Sequence, residues 1–212
     1  LNTISGDRMR RELELILREG HPEKPIQRAG ELGILKEIYP SLKGNGWLKE
    51  KFQQARAKTY PIPLSVYFTL LVYHLSPEEA EDFIARLRIP GRTAQVIHSA
   101  LRLKANLPIL ATPELSPSSI YRLLQDYSPS SILANAIASD SILNQQRLNL
   151  YLDKLRYVKT SLNGEALQQM GLSPGPQLGE ILRVLHEARL DQKVKTRKEE
   201  IKLVRHWLSQ GG

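Results

Sequence analysis

The sequence predicts an all-α protein, and three observations carry that reading. Aliphatic residues recur at three- and four-residue spacing, the period that lines one face of a helix. Period-two alternation with β-branched residues, the mark of half-buried strands, is nearly absent. Ser-Pro pairs at Ser76-Pro77, Ser116-Pro117 and Ser128-Pro129 each place a capping hydroxyl before a proline suited to a first helical turn. These starts are irregularly spaced, so no repeat period and no solenoid is implied. The expected architecture is an elongated multi-helix array divided into segments 1–60, 61–140 and 141–212.

The first helix is expected from Gly6 to Glu19, with Ser5 as N-cap, Met9, Leu13, Ile16 and Leu17 as its apolar stripe, and Gly20 as its stop. Arg8, Arg10 and Arg11 crowd the end at which the helix dipole favours acids, and Arg8 stands where a capping box would carry Glu. Helix stability alone does not explain these arginines. Arg8 and Glu12 are one turn apart, an order that adds little to a lone helix, so any value of the pair is tertiary. After Pro25 to Leu42, a basic connection from Lys43 leads into a short helix around Leu48 to Ala57. Trp47 reads as a small satellite core rather than a platform for stacking a base.

From Pro61 the three Ser-Pro starts open successive helices, the first strengthened by Glu79. Arg86, Arg88 and Arg92 surround Ile89-Pro90-Gly91, a helix end followed by a helix start. Guanidinium and backbone N–H groups converging there would make a phosphate site; the alternative is surface arginines around a turn. A long helix is expected from about Ser141 to Lys159, with Leu148, Tyr151, Leu152 and Leu155 on one face, rigidly joining the segments on either side of it.

The stretch Gly171 to Glu200 holds two helix starts and a basic loop. Pro176 suits a first helical turn, and Leu178, Ile181, Leu182 and Leu185 form the stripe behind it. The loop Asp191 to Lys195 comes next, then a capping box of Thr196 and Glu199, with Ile201, Val204 and Leu208 as the last stripe. Lys193, Lys195 and Arg197 at this loop-to-helix junction are candidate phosphate contacts.

Net charge is +8 across 212 residues, unevenly spread. Residues 1–60 carry 12 Lys/Arg against 8 Asp/Glu, residues 61–152 carry 7 of each, and residues 153–212 carry 11 against 7. Two basic ends around a neutral middle suit a polyanion held at two places, and a nucleic acid fits better than a membrane because no basic amphipathic helix stands alone. There is no cysteine, hence no disulfide and no thiolate chemistry, which fits a reducing, cytoplasmic setting. No signal peptide is visible and the chain opens on Leu1, so it is expected to be a fragment of a longer protein.

The string Gly171-Leu172, Pro174-Gly175-Pro176, Gly179, Ile181-Leu182, then Ala188, Leu190-Asp191, Val194-Lys195-Thr196-Arg197 and Glu199-Glu200 resembles the C-terminal tail of the class II tRNA nucleotidyltransferase and poly(A) polymerase family. Gln192 stands where that family usually has Gly. Ile4 to Leu13, ISGDRMRREL, resembles the family's neck motif I-S-x-E-R-I-x-x-E-L, and on it Ser5, Arg8, Arg11 and Glu12 are the neck residues. Leu32-Gly33-Ile34-Leu35 and Ile38 to Leu42 resemble its G-L-L and P-E-L segment, with Ser41 in place of Glu. The resemblance implies neck, body and tail subdomains that hold tRNA or another structured RNA. The chemistry would belong to a catalytic head domain of the same parent chain, where paired carboxylates bind Mg2+ and a nucleoside triphosphate.

No such machinery is legible in these residues. Asp7, Asp82, Asp126, Asp140, Asp153 and Asp191 each lack a second Asp two residues away, and His21, His74, His98, His186 and His206 follow no ligand spacing. No cofactor is expected in this chain. The rival reading is a stand-alone helical adaptor for nucleic acid or protein, with no catalytic role.

Overall fold

The computed structural model describes residues 5–58 and 61–209, so Ile4 of the first motif lies outside the described residues. Every described element is helical: thirteen α-helices and one 3-10 turn. The chain divides into two compact units. One comprises the described residues up to Ala111 together with Tyr127–Asn149, the other Thr112–Asp126 and the described residues from Leu150 onward.

The first unit is built around two helices that are buried on nearly all sides, as central helices must be. These are α5 (Leu64–Val72), buried from Val66 through Val72, and α9 (Pro129–Ala138). The twenty-residue α7 (Gly91–Leu110) packs on both. Around them lie α1 (Gly6–Leu17), α2 (Glu23–Glu31), α3 (Ile34–Ile38), α4 (Gly46–Lys58), α6 (Pro77–Leu87) and the start of α10 (Ile142–Asp153). Phe52, Phe68 and Phe83 are fully buried among them. The stripe of α1 lands as its spacing predicts, with Leu13 and Leu17 buried and Met9 and Ile16 packed against the core. Gly6 shows why no larger residue fits at the head of α1: a Cβ there would lie 1.8 Å from the Arg86 carbonyl oxygen at the end of α6.

Several polar groups inside this core are matched, although Glu23 Oε2 and Asn144 Oδ1 find no hydrogen-bond donor among the described residues. Asn135 donates to the Ala100 and Ser131 carbonyls at 3.0 and 2.9 Å, and its Oδ1 accepts from the Tyr73 hydroxyl at 2.9 Å. Burial pushes the Tyr73 phenol up. Buried Arg147 donates to the Leu110 carbonyl at 2.5 Å, where α7 ends. Glu23, 2% exposed, accepts from Arg56 at 2.8 Å with His21 Nδ1 at 3.2 Å. Burial works to raise that carboxyl, but its own backbone N–H, His21 and Arg56 hold it below its ordinary value. The linkage therefore stabilises the fold above the ordinary carboxylate value and is lost as pH falls through the lowered one. Glu23→Gln is expected to cost about 1 to 3 kcal/mol at neutral pH and to flatten the acid side of the melting-temperature profile, measured by circular dichroism. An unchanged acid slope would remove Glu23 as its source.

In the second unit α8 (Pro117–Leu124) and a 3-10 turn (Leu155–Tyr157) pack with α11 (Gly164–Gln169), α12 (Pro176–Leu190) and α13 (Arg197–Ser209). Leu162, Leu167, Leu172, Ile181, Leu185 and Val204 form its core. Ser76, Ser116 and Ser128 each accept from the backbone N–H three residues on, so all three Ser-Pro starts are real caps. Two expectations need correction. The helix anticipated over Ser141 to Lys159 ends at Asp153, because Lys154 leaves helical geometry at φ −132°, and Leu155 is buried from the 3-10 turn instead. On α13 Leu208 is 38% exposed, and Leu203 and Trp207 flank the core in its place.

Candidate nucleic-acid interface

Ser5, Arg8, Arg11 and Glu12 line one shallow depression together with Asp7. Ser5 Oγ accepts from the Arg8 amide at 3.3 Å, and the Arg8, Arg11 and Glu12 side chains stand exposed. The crowding of arginines is partly local after all: Arg10 bridges Asp7 at 2.8 Å and Glu14 at 2.7 Å. The Arg10 hydrogen bond holds the Asp7 carboxyl below its ordinary value. Arg11 reaches Asp7 only at 3.4 Å.

The arginine cluster sits beside the same helix start. The close approach of Gly6 to the Arg86 carbonyl brings the head of α1 to the end of α6, and the positive charge of Arg88 acts on Asp7. Arg88 itself is left-handed at φ 49°. Its N–H bonds the Ala85 carbonyl at 3.2 Å and the Ile89 N–H bonds the Ile84 carbonyl at 3.0 Å, the double bond of a Schellman turn. Glycine is usual at that position, so an arginine there carries backbone strain. Arg86 donates to the Glu37 carbonyl at 3.1 Å, and Arg86, Arg88 and Arg92 are all exposed. The start of α7 lies between Arg88 and Arg92, and its N-cap, Pro90, supplies no side-chain cap. First-turn N–H groups and guanidinium groups thus share one corner, the arrangement that attracts an anion.

In the second unit the basic loop has the same construction. Gln192 takes φ 59°, its N–H bonds the Arg189 carbonyl at 3.1 Å, and the Lys193 N–H bonds the Ala188 carbonyl at 2.8 Å. The left-handed turn therefore forms although Gln replaces Gly. Asp191 accepts from the Ser118 amide at 2.9 Å and hydroxyl at 3.0 Å, tying the end of α12 to the start of α8. Lys193 lies 3.5 Å from the same carboxylate. Glu199 closes the capping box on Thr196 and also takes the Lys195 amide at 2.5 Å, and those backbone bonds hold its pKa down. Glu199 thus ties down the Lys195 and Thr196 amides just ahead of α13, and Lys193, Lys195 and Arg197 add side-chain charge, all exposed.

Glu200, fully buried, is the anchor that local spacing did not reveal. It accepts from the Ser161 and Leu162 amides at 3.0 and 2.9 Å and pairs with Arg189 at 2.8 Å. Lys159 is a further cation that sequence reading passed over, and it lines a shallow depression with Gln192 and Lys195. Among the described residues no group of three or more His, Asp or Glu is placed to hold a metal ion, and no helix is long and apolar enough to cross a membrane.

Known proteins align with nearly all of this chain. Residues 65–204 match the family described as tRNA nucleotidyltransferase domain 2. Residues 1–44 match the one described as "Probable RNA and SrmB- binding site of polymerase A". The A-adding tRNA nucleotidyltransferase of Geobacter sulfurreducens is 28% identical over 223 aligned residues, which take in 96% of this chain and 25% of that protein. The Thermotoga maritima CCA-adding enzyme complexed with tRNA shares the fold at a TM-score of 0.75 and 22% identity, over 98% of this chain and 52% of that one. A CCA-adding enzyme with CTP gives 0.71 at 22% identity, over 98% and 51%. The chain thus spans a quarter of the curated relative and about half of these solved structures. With a match that runs from residue 65 to 204, the chain belongs to the tRNA nucleotidyltransferase domain 2 family.

Proposed function

We propose that this chain is the RNA-holding neck, body and tail of a cytoplasmic CCA- or A-adding tRNA nucleotidyltransferase, or of a related poly(A) polymerase. It works for a catalytic head in the same parent chain, and that head supplies the Mg2+ site and takes the nucleoside triphosphate. The observation that carries this reading is the paired construction of the two basic corners. Each sets a long polar residue, Arg88 or Gln192, in the left-handed turn that ends a helix, with exposed cations on the neighbouring residues. A fold that needed only stability would place Gly there. Arg86, Arg88 and Arg92 then contact RNA phosphates with help from the uncapped start of α7, while Lys193, Lys195 and Arg197 act as side-chain charges. Ser5, Arg8, Arg11 and Glu12 brace the junction with the head through the exposed face that they share on α1.

Binding of tRNA is expected to be salt-dependent and indifferent to sequence, because A-form RNA hides its base edges and offers mainly phosphates and shape. Replacing Lys193, Lys195 and Arg197 together with Gln should flatten the plot of log affinity against log salt by about 2 to 3 units, at roughly 0.7 to 0.9 per lost contact. Fluorescence anisotropy at several salt concentrations measures it. An unchanged slope would make these residues solvated surface charge. The same loss seen with an unrelated protein-partner assay and none with RNA would favour the adaptor reading.

A further inference from the structure

Trp47 is not the satellite core that its sequence position suggests. Its indole packs against the main core of the first unit, roughly parallel to the buried Tyr73 ring at 6.0 Å and 23°. It also meets the exposed His74 imidazole at 4.3 Å and 63°. Tyr73 is pinned through Asn135, and the ammonium of buried Lys51 lies 5.9 Å from the indole centre while pairing with Asp140 at 3.6 Å. The indole is thus held from several sides and remains only half-buried.

A cavity of about 530 Å³ opens beside it, lined by Lys43, Asn45, Trp47, Leu71, His74 and Glu79 among others. That volume suits a small polar ligand. Its lining combines two aromatic rings, an apolar wall and an exposed cation. Partial desolvation beside the neighbouring rings, with the charges of Lys104 and Lys43 and against that of Asp140, lowers the His74 pKa, so near neutral pH the ring is a flat uncharged surface. Glu79 accepts from the Ser41 hydroxyl and, at 2.8 Å, from the Ser76 amide. One bond to each oxygen leaves further lone pairs able to accept from a ligand.

We propose that this cavity binds one nucleoside monophosphate unit, free or unpaired within a strand, with its base against His74 and Trp47 and its phosphate on Lys43. The proposal rests on the RNA-holding reading only for the strand as a source. Stacking tolerates any base, but the acceptor-only carboxylate of Glu79 favours an exocyclic amino group over the uracil edge, whose N3–H is flanked by two carbonyl oxygens that a carboxylate repels.

Trp207→Phe leaves Trp47 as the single tryptophan, and its fluorescence can be followed during titration with AMP, UMP, inorganic phosphate or a short oligoadenylate. Saturable quenching by AMP is expected, with UMP roughly tenfold weaker and AMP on His74→Ala weaker by a similar factor, the scale of one stacked base. Lys43→Ala should reduce AMP binding but leave adenosine binding unchanged. Tighter binding of oligoadenylate than of AMP assigns the site to a strand, and the reverse order to a free mononucleotide. Phosphate binding as well as AMP, indifference to His74→Ala, or no saturable change with either AMP or oligoadenylate overturns the proposal. Because His74 lies outside both basic corners, His74→Ala should keep the salt slope for tRNA. Absence of AMP and oligoadenylate quenching in the Trp207→Phe parent with an intact tRNA salt slope sinks the cavity alone, whereas the tail triple variant tests the RNA-holding reading.

Discussion

Glu200→Ala is expected to destabilise the second unit by about 3 to 5 kcal/mol, the usual penalty for breaking a buried ion pair from one side. The carboxylate is fully buried and serves three donors at once: the Ser161 amide, the Leu162 amide and the Arg189 guanidinium at 2.8 Å. Its removal leaves two amides without acceptors and a guanidinium that is 20% exposed without its counter-charge. Arg189 also holds the Lys195 carbonyl and, at 3.0 Å, the Ser161 hydroxyl, so the damage spreads into the basic loop. Trp207 flanks this core and Trp47 flanks the other, which gives each unit its own fluorescence reporter in urea. The Trp207 transition should move to lower urea. Glu200→Gln, which keeps an acceptor oxygen, should lose distinctly less. A shift below about 1 kcal/mol for the alanine variant would mean that the two amides find water instead.

Asn135→Ala should destabilise the first unit by about 2 to 4 kcal/mol, because it strands the Tyr73 hydroxyl in the core and leaves a small cavity. Tyr73→Phe strands only the Asn135 oxygen and should cost less. The double variant removes both ends of one bond, so its loss should fall short of the sum by about 1 to 2 kcal/mol. Strict additivity in urea titrations would show that the hydroxyl and the amide are not energetically coupled. Trp47 stacks on Tyr73 and reports the change directly.

What the sequence made legible was local. Serine caps act on amides three residues away, and a proline in a first turn satisfies itself, so Ser76, Ser116, Ser128 and Pro176 could be assigned from spacing. The same locality explains Arg10, whose partners lie three and four residues off. Asp191 and Glu200 stood in plain view inside the tail string, yet their partners are 73 and 38 to 39 residues away, and no periodicity encodes such distances. Buried Asn135 was hidden for the same reason, with its tyrosine 62 residues upstream. Lys154 ends α10 with neither Gly nor Pro to announce it, and the residues give no physical account of that break. At Gln192 the family pattern asked for Gly, and the helix-end bonds fix the turn regardless.

The threading of the chain sets a schedule for its synthesis. α8 belongs to the second unit, yet it leaves the ribosome between α7 and α9, which belong to the first. Its buried Ile120 and Leu124 must wait for α12, and Asp191 lies 73 residues beyond Ser118. At about 5 to 20 residues per second that gap lasts roughly 4 to 15 s. The first unit can close as soon as residue 149 is out, with α8 still an unprotected hairpin-like insert between two finished elements. Chaperone capture and nascent-chain proteolysis should therefore concentrate on residues 112–126, and a ribosome stalled before α12 should present that segment as its most accessible apolar stretch.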